Sequence, residues 1–151
     1  MMNKKETVNN HLGKIFEYMG IKPAINITEV EDSTVEIDIE GQNLNFLIGY
    51  RGESLDALQN ILGMVLYKEC GEWVHVVIDI NGYRKQKQEK IEQITKGYID
   101  KVRFFGKEVE MSPMNPFERR QVHTFISQYD DIISESTGEG ASRRVVLKPK
   151  Q

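Results

Sequence analysis

Two glycines, Gly49 and Gly52, bracket Tyr50 and Arg51 directly before a helical apolar stripe, and this stretch constrains the local fold most strongly. Glycine adopts backbone conformations that other residues avoid and lets another backbone come close. The N-terminus of a helix carries unpaired N–H groups and a partial positive charge. Such a loop can hold a phosphate chain, although the tetrapeptide alone is equally typical of a plain turn.

Apolar residues in the first half of the chain recur at helical spacings in some segments and alternate strictly in others. The predicted elements, in chain order, are a helix over 4–19, strands over 25–31 and 34–40 with a turn at Asp32-Ser33, a short apolar piece over 44–48, a helix over 53–69 and a strand over 73–80. The hairpin has one acidic face, which we expect to lie in solvent. The last strand is apolar and β-branched, which predicts a central position in its sheet.

The second half begins with a predicted long helix over 83–104 that is basic over much of its surface. Its apolar side is predicted to comprise Ile91, Ile94, Tyr98 and Val102. The predicted elements that follow are a strand over 107–112, a helix over 116–128, and strands over 131–136 and 143–148 around a flexible loop over 137–141. Asn115 is the expected N-cap of the shorter helix, because Pro116 suits the first helical turn.

Charge is divided unevenly between the two halves. Residues 1–82 contain 6 lysines and arginines against 13 aspartates and glutamates, a net charge of −7, whereas residues 83–151 contain 14 against 10, a net charge of +4. This asymmetry predicts two units with different surfaces, and ordinary solvated charge is the alternative interpretation. We expect an N-terminal helix over 1–21, a first domain over 22–82 and a second domain over 83–151.

Composition argues against several classes of protein. No apolar run approaches the roughly 18 residues of a membrane-spanning helix, and the first ten residues lack the apolar core of a signal peptide. Cys70 is the single cysteine, and no Cys/His cluster indicates zinc. His11, His75 and His123 lie in three different predicted elements without a carboxylate constellation, which argues against catalysis. We therefore expect a cytoplasmic protein that is not an enzyme and has no metal or cofactor.

Two motifs carry a resemblance to known families. The order helix, strand, strand, short helix, Gly-x-x-Gly, helix, strand, helix, with Ile-Gly-Tyr-Arg-Gly-Glu between the central helices, resembles a bacterial-type (type II) KH domain. Arg119 and His123 are four residues apart and share one helix face. With Ser136-Thr137-Gly138 and the Ser-Arg-Arg-Val-Val-Leu run over 142–147, they resemble the Arg-xxx-His single-stranded nucleic-acid-binding domain. The pair in this order, over about residues 22–150, resembles the Jag (SpoIIIJ-associated) family.

The resemblance implies an α+β fold in which a type II KH-like domain and a small Arg-xxx-His α/β domain are linked through the long basic helix. In KH domains such a loop clamps the backbone of a short single strand. The glycines would let the loop approach phosphate, the arginine would add charge, and the tyrosine would stack on a base or hydrogen-bond. The implied RNA-contacting residues are Gly49, Tyr50, Arg51, Gly52, Glu53 and Ser54. A basic pair is common where Tyr50 and Arg51 stand, so the acidic first half is expected to bind RNA weakly alone.

In the second domain, the resemblance implies that Arg119 contacts phosphate and that His123 faces the ligand. Further cations are candidates for an extended basic stripe. They are Arg143, Arg144 and Lys148 near the end of the chain, with Arg84, Lys85 and Lys87 on the long helix. Alternative interpretations are solvated surface for any single cation, an exposed loop aromatic for Tyr50, and a half-buried histidine bonded to the backbone for His123.

The implied function is that of a single-stranded RNA-binding, post-transcriptional regulator linked to cell elongation, division or sporulation. The resemblance also implies a small KH-protein partner or a homodimer, and a peripheral link to a membrane insertase. It implies no small-molecule substrate. Jag proteins often carry a further N-terminal domain, which we expect to be absent here or to have been removed, because only about twenty residues precede the KH-like region. Single-stranded DNA remains open as a ligand. A protein–protein adaptor that dimerises through the KH-like fold and a nucleic-acid-processing enzyme remain alternative functions.

Overall fold

A computed structural model describes residues 3–31 and 33–151, so the predicted turn residue Asp32 lies outside the described residues. The chain forms two compact units, one up to Arg84 and the other from Lys85. Both combine helices with a three-stranded sheet, which confirms the α+β class. Within the described residues, the helices are all too short or too polar to cross a membrane.

The first unit follows the predicted order of elements, with boundaries that shift by one or two residues. They are α1 (Lys4–Met19), β1 (Ala24–Val30), β2 (Thr34–Glu40), α2 (Asn45–Ile48), a 3₁₀ turn (Tyr50–Gly52), α3 (Glu53–Cys70) and β3 (His75–Ile80). The strands are ordered β1-β2-β3, with β1 antiparallel and β3 parallel to β2. Helices α1 and α3 bury Leu12 and Leu62 against the alternate residues of the sheet that include Ile37. The opposite face exposes Glu36 and Asp38, which confirms the acidic, solvent-facing side of the hairpin.

The prediction of a central position for the third strand is wrong, because β2 lies in the middle of the sheet and β3 at its edge. Side chains close the outer edge of β3 instead of a further strand. The Ile78 N–H donates to Gln59 Oε1 at 2.8 Å, and Arg84 Nε donates to the Ile78 carbonyl at 2.9 Å. Arg84 also donates to Gln59 Oε1. These bonds satisfy backbone groups that an edge strand otherwise exposes.

The second unit contains most of α4 and a smaller antiparallel sheet. Its elements are α4 (Tyr83–Phe105), β4 (Val109–Glu110), α5 (Pro116–Ile126), β5 (Ile132–Thr137), a 3₁₀ turn (Gly140–Ser142) and β6 (Arg144–Pro149). The strands are ordered β4-β6-β5, and β4 is much shorter than the predicted 107–112. Asn115 caps α5 as predicted and forms a capping box with Glu118: the Glu118 N–H donates to Asn115 Oδ1 at 2.8 Å, and the Asn115 N–H to Glu118 Oε2 at 3.0 Å.

The apolar side of α4 is rotated relative to the prediction. Thr95 and Ile99 are buried, whereas Ile94 is 47% exposed. A buried threonine is tolerated here because its hydroxyl donates to the Ile91 carbonyl at 2.7 Å. The spacing of apolar residues in the sequence gives no indication that Thr95 is buried. Val102 is buried as predicted, and its side of α4 shares a core with α5, β5 and β6.

Candidate nucleic-acid interface

The glycine loop of the first unit has a backbone that only glycine accommodates at its first position. Gly49 has φ 71° and ψ −175°, a conformation essentially confined to glycine. A Cβ atom at this position would overlap Ser54 Oγ and lie 2.8 Å from Ser54 Cβ and 2.9 Å from Ser54 N. The loop therefore turns back tightly against the first turn of α3.

The other loop positions also have unusual backbone angles. Gly52 has φ 81°, and Arg51 has φ 53°, a left-handed conformation that non-glycine residues rarely adopt. A Cβ at Gly52 would lie 3.4 Å from the Tyr83 ring, so this glycine also permits close packing. Gly52 is the N-cap of α3 and has no side chain to accept a hydrogen bond from the first turn.

The two side chains between the glycines form a pair at the surface. Tyr50 is 70% exposed, and the Arg51 guanidinium carbon lies 5.2 Å from its ring centroid, within cation–π range. Glu53 is exposed in the first turn of α3, where Asp56 also lies. Both carboxylates suit the helix dipole but repel a phosphate.

In the second unit, α5 and β5 place one histidine between two serines. His123 Nδ1 lies 2.7 Å from Ser134 Oγ, and His123 Nε2 lies 2.8 Å from Ser136 Oγ. The two serines share a strand face because residues two apart in a strand point to the same side. Both imidazole nitrogens are thereby engaged, which fixes the orientation of the ring.

Two arginines flank this histidine and are themselves held by backbone carbonyls. Arg119, one turn before His123 on α5, donates from Nη1 to the Met114 carbonyl at 2.6 Å. Arg143 donates from Nη1 to the Gly138 carbonyl at 2.7 Å. Gly138 has φ 89°, and a Cβ there would lie 3.1 Å from the Ser142 carbonyl oxygen, so the turn needs glycine. Both guanidinium groups are therefore oriented before any ligand binds.

The electrostatics of the cluster favour an anionic ligand. Burial lowers the pKa of His123, and the nearby positive charges of Arg119 and Arg143 lower it further. The imidazole is consequently neutral at pH 7 and carries one N–H, so one serine hydroxyl accepts from the ring and the other donates to it. The two arginines supply the positive charge. We refer to Arg119, His123, Arg143, Ser134 and Ser136 as the arginine–histidine cluster.

Other predicted cations have different surroundings. On β6, Val145 and Leu147 point into the core, so Arg144 and Lys148 project from the opposite face of the sheet. There Lys148 Nζ lies 2.8 Å from Glu135, which raises the pKa of the lysine, and Arg144 lies 3.7 Å from Glu110. The alternation of side chains along β6 therefore places Arg144 and Lys148 on the sheet face opposite the arginine–histidine cluster.

The predicted cations at the start of α4 also differ from one another. Arg84 closes the edge of β3 in the first unit. Lys87 lies 3.0 Å from Glu118, with both side chains almost buried, whereas Lys85 is exposed. Contact of these three cations with RNA stays a prediction.

Three groups of the site were not predicted as site residues, although Ser136 belongs to the Ser-Thr-Gly stretch on which the resemblance rests. Ser134 and Ser136 are polar residues at alternate positions of a predicted strand, and this alternation is the signal that indicates a polar contact with α5. The Met114 carbonyl carries no such signal. Within the described residues, no group of three or more His, Cys, Asp or Glu side chains is arranged for a metal ion. Asp131 accepts two hydrogen bonds from Arg103, at 2.8 and 3.1 Å.

Comparison with known proteins identifies the second unit and the family. Residues 89–149 match the R-three-H domain, which confirms the predicted Arg-xxx-His domain. The chain is 29% identical to RNA-binding protein KhpB of Clostridium symbiosum, over 98% of this chain and 69% of that protein. It is 30% identical to RNA-binding protein KhpB of Bacillus subtilis, over 93% of this chain and 68% of that protein. It is 28% identical to RNA-binding protein KhpB of Streptococcus pneumoniae D39, over 76% of this chain and 35% of that protein. The chain therefore belongs to the KhpB family and carries an Arg-xxx-His domain over residues 89–149.

Proposed function

We propose that this chain is a cytoplasmic, non-catalytic protein that binds single-stranded RNA through the arginine–histidine cluster of its Arg-xxx-His domain. The observation that carries the proposal is the convergence of Arg119 and Arg143 on a neutral, doubly hydrogen-bonded His123. The names of the KhpB relatives support RNA as the ligand.

The chemistry of the cluster suits a phosphate group. A guanidinium has five N–H donors, and the single carbonyl contact of each arginine accepts from one of them. Arginine donates to phosphate in a planar, bidentate geometry, and hydrogen bonds between ionised groups are the stronger kind. Because backbone carbonyls already orient both side chains, little rotamer entropy is lost when a phosphate binds.

We also propose that the first unit is a type II KH-like domain that contacts the same RNA through Gly49–Gly52. The αββααβ order of its elements and the tight glycine loop between α2 and α3 support this. We extend its predicted bounds of 22–82 to include α1, because Leu12 and Phe16 of this helix are buried in the core of the unit. Each domain should bind modestly alone. Their covalent linkage would raise the overall affinity, because binding of one domain raises the effective concentration of the other. The links to cell elongation, division or sporulation and to an insertase remain predictions from the resemblance.

The test is a salt titration of RNA binding by fluorescence polarisation, with a matched pair of arginine variants on α5. Arg119→Ala should weaken binding about tenfold or more, since a charged hydrogen bond contributes roughly 1.5–3 kcal/mol. It should also reduce the slope of log K against log salt by about 0.7, the value for one phosphate of a single strand.

Arg120→Ala is the control, because Arg120 is exposed on the same helix and the two variants lose the same charge. Equal effects of the two variants would show that only net charge matters, and the absence of salt-dependent binding would contradict the proposal. Cleavage of labelled RNA in the presence of magnesium would favour a nucleic-acid-processing enzyme instead.

A second candidate function, protein–protein adaptor, is favoured by the outward face of α3. Ile61 and Met64 are 47% and 56% exposed, and Tyr67 stacks on Trp73 with ring centroids 4.6 Å apart. Clustered exposed apolar side chains of this kind are typical of interaction sites. Either a small KH protein or a second copy of this chain is the proposed partner. Sedimentation equilibrium of the full chain and of Met64→Glu tests self-association: a monomeric wild-type chain would exclude the homodimer.

A further inference from the structure

The last turn of α4 exposes two adjacent phenylalanines. Phe104 is 83% and Phe105 is 63% exposed, and their rings meet edge to face with centroids 5.0 Å apart. Side chains of this size are usually withdrawn from water, so a pair exposed together indicates a surface that meets a ligand.

Two lysines lie close to the phenylalanines in sequence, one on the same helix face and one just after the end of the helix. Tyr98, Lys101 and Phe105 follow at spacings of three and four, so they share one face, with Phe104 beside them. Lys101 Nζ lies 4.8 Å from the Tyr98 ring centroid. Gly106 ends the helix with φ 65°, and the exposed Lys107 follows it. Within the described residues, Lys101 and Lys107 form no ion pair. We call Tyr98, Lys101, Phe104, Phe105 and Lys107 the lysine–aromatic face.

The third cation of this turn, Arg103, has a different role. Its guanidinium makes two hydrogen bonds to the Asp131 carboxylate, at 2.8 and 3.1 Å, and lies 5.5 Å from the Tyr129 ring centroid. This contact anchors the last turn of α4 to the start of β5. The phenylalanines are therefore presented from an anchored helical turn rather than from a loose end.

We propose that the lysine–aromatic face is a second contact surface for single-stranded RNA within the Arg-xxx-His domain, which rests on the proposed function. Bases stack on Phe104 and Phe105, and Lys101 and Lys107 neutralise the adjoining phosphates. Single-strand binders combine these two features, aromatic platforms and cations along the backbone. A protein partner fits this face less well, because lysine is depleted in the cores of protein interfaces. A lipid surface also fits less well, because two lysines fall short of the roughly four to eight cations of a polybasic lipid-binding segment.

The face lies away from the arginine–histidine cluster. Arg103 attaches it to Asp131, before β5 begins, whereas the cluster contacts Ser136 near the other end of that strand. Five residues of extended strand separate Asp131 from Ser136, about 17 Å at 3.3–3.4 Å per residue. A dinucleotide bound at the cluster therefore does not reach the lysine–aromatic face, whereas an oligonucleotide of about twelve nucleotides does.

The experiment compares a uridine dinucleotide with a uridine oligonucleotide of about twelve nucleotides, which lies within the range of typical single-strand site sizes. Binding to the full chain is measured by fluorescence polarisation for wild type, for a Phe104→Ala/Phe105→Ala double variant and for Arg119→Ala. Tyr18→Ala is the matched control, because Tyr18 is an aromatic residue that is 92% exposed in the first unit. Thermal unfolding of each variant by circular dichroism verifies that the fold is kept.

The double variant should bind the longer oligonucleotide about tenfold or more weakly, since stacking contributes roughly 1–3 kcal/mol per base, and the shorter one as wild type does. Arg119→Ala should weaken both, and Tyr18→Ala neither. If the double variant binds both oligonucleotides with wild-type affinity while Arg119→Ala binds them more weakly, this inference is overturned and the proposed function stays intact.

Two further outcomes also count against the inference. If the wild-type chain binds neither oligonucleotide, the proposed function and the inference fail together. If the double variant keeps its RNA affinity but loses self-association or binding to phosphatidylglycerol vesicles, the face serves a protein or a lipid surface instead.

Discussion

Gly49→Ala tests whether the glycine loop is a strained, closely packed turn. The native φ of 71° with ψ of −175° costs a non-glycine residue about 1–3 kcal/mol. The added methyl would also lie 2.8 Å from Ser54 Cβ and 2.9 Å from Ser54 N, and relief of such overpacking costs about 1–3 kcal/mol. Alanine lowers the entropy of the unfolded chain, which offsets about 0.4–1 kcal/mol. We expect a net loss of about 3 kcal/mol in the free energy of unfolding.

The assay is urea denaturation followed by the fluorescence of Trp73, the single tryptophan, which lies in the same unit as the loop. Gly13→Ala is the matched control, because Gly13 lies inside α1 and a Cβ there meets nothing within 4 Å. That variant should gain about 0.5–1 kcal/mol from the higher helix propensity of alanine. A Gly49→Ala variant within 1 kcal/mol of wild type would refute the packing argument, since the backbone cost alone is about that large.

Three further predictions concern other parts of the chain. The lowered pKa of His123 means that its contribution to stability is complete above the unfolded value of about 6.5 and is lost as the pH falls through the folded pKa. Between pH 7.5 and pH 5, urea unfolding should therefore show a larger loss in the free energy of unfolding for wild type than for His123→Gln. Equal losses in the two proteins would contradict this prediction. Asn115→Ala should cost about 1 kcal/mol by the same measurement, and an unchanged midpoint would show that the capping box is dispensable. Gln59→Ala should cost about 1–3 kcal/mol, because it leaves the Ile78 N–H unpaired at the edge of β3; hydrogen exchange at Ile78 that matches wild type would argue against this.

Much of the local structure could be predicted from the sequence, because side-chain periodicity is a local property. The helix at 4–19, the hairpin and the capped helix that begins at Pro116 occur as the pattern indicates. The exceptions are places where tertiary contacts compensate for an unexpected residue. Thr95 is buried because its hydroxyl bonds to its own helix, and β3 is apolar at a sheet edge because Gln59 and Arg84 cover that edge.

The candidate site was predictable only in part. The spacing of Arg119 and His123 places them on one helix face, and the structure agrees. Nothing local distinguishes Arg143 from Arg144, yet the first lies near His123 and the second projects from the opposite side of the sheet with Glu110. The serines that hold His123 belong to a strand eleven and thirteen residues away in sequence.

The sequence by itself determined the order of the elements, the position of the glycine loop and the helical spacing of the arginine and the histidine. Each of these depends on neighbours in the chain, through backbone freedom or the 3.6-residue period. Only the tertiary structure decided which strand is central, which cations converge and which charges are neutralised by carboxylates. Those outcomes depend on hydrogen bonds and packing between distant segments, and periodicity records which side of an element is buried but not which partner it meets.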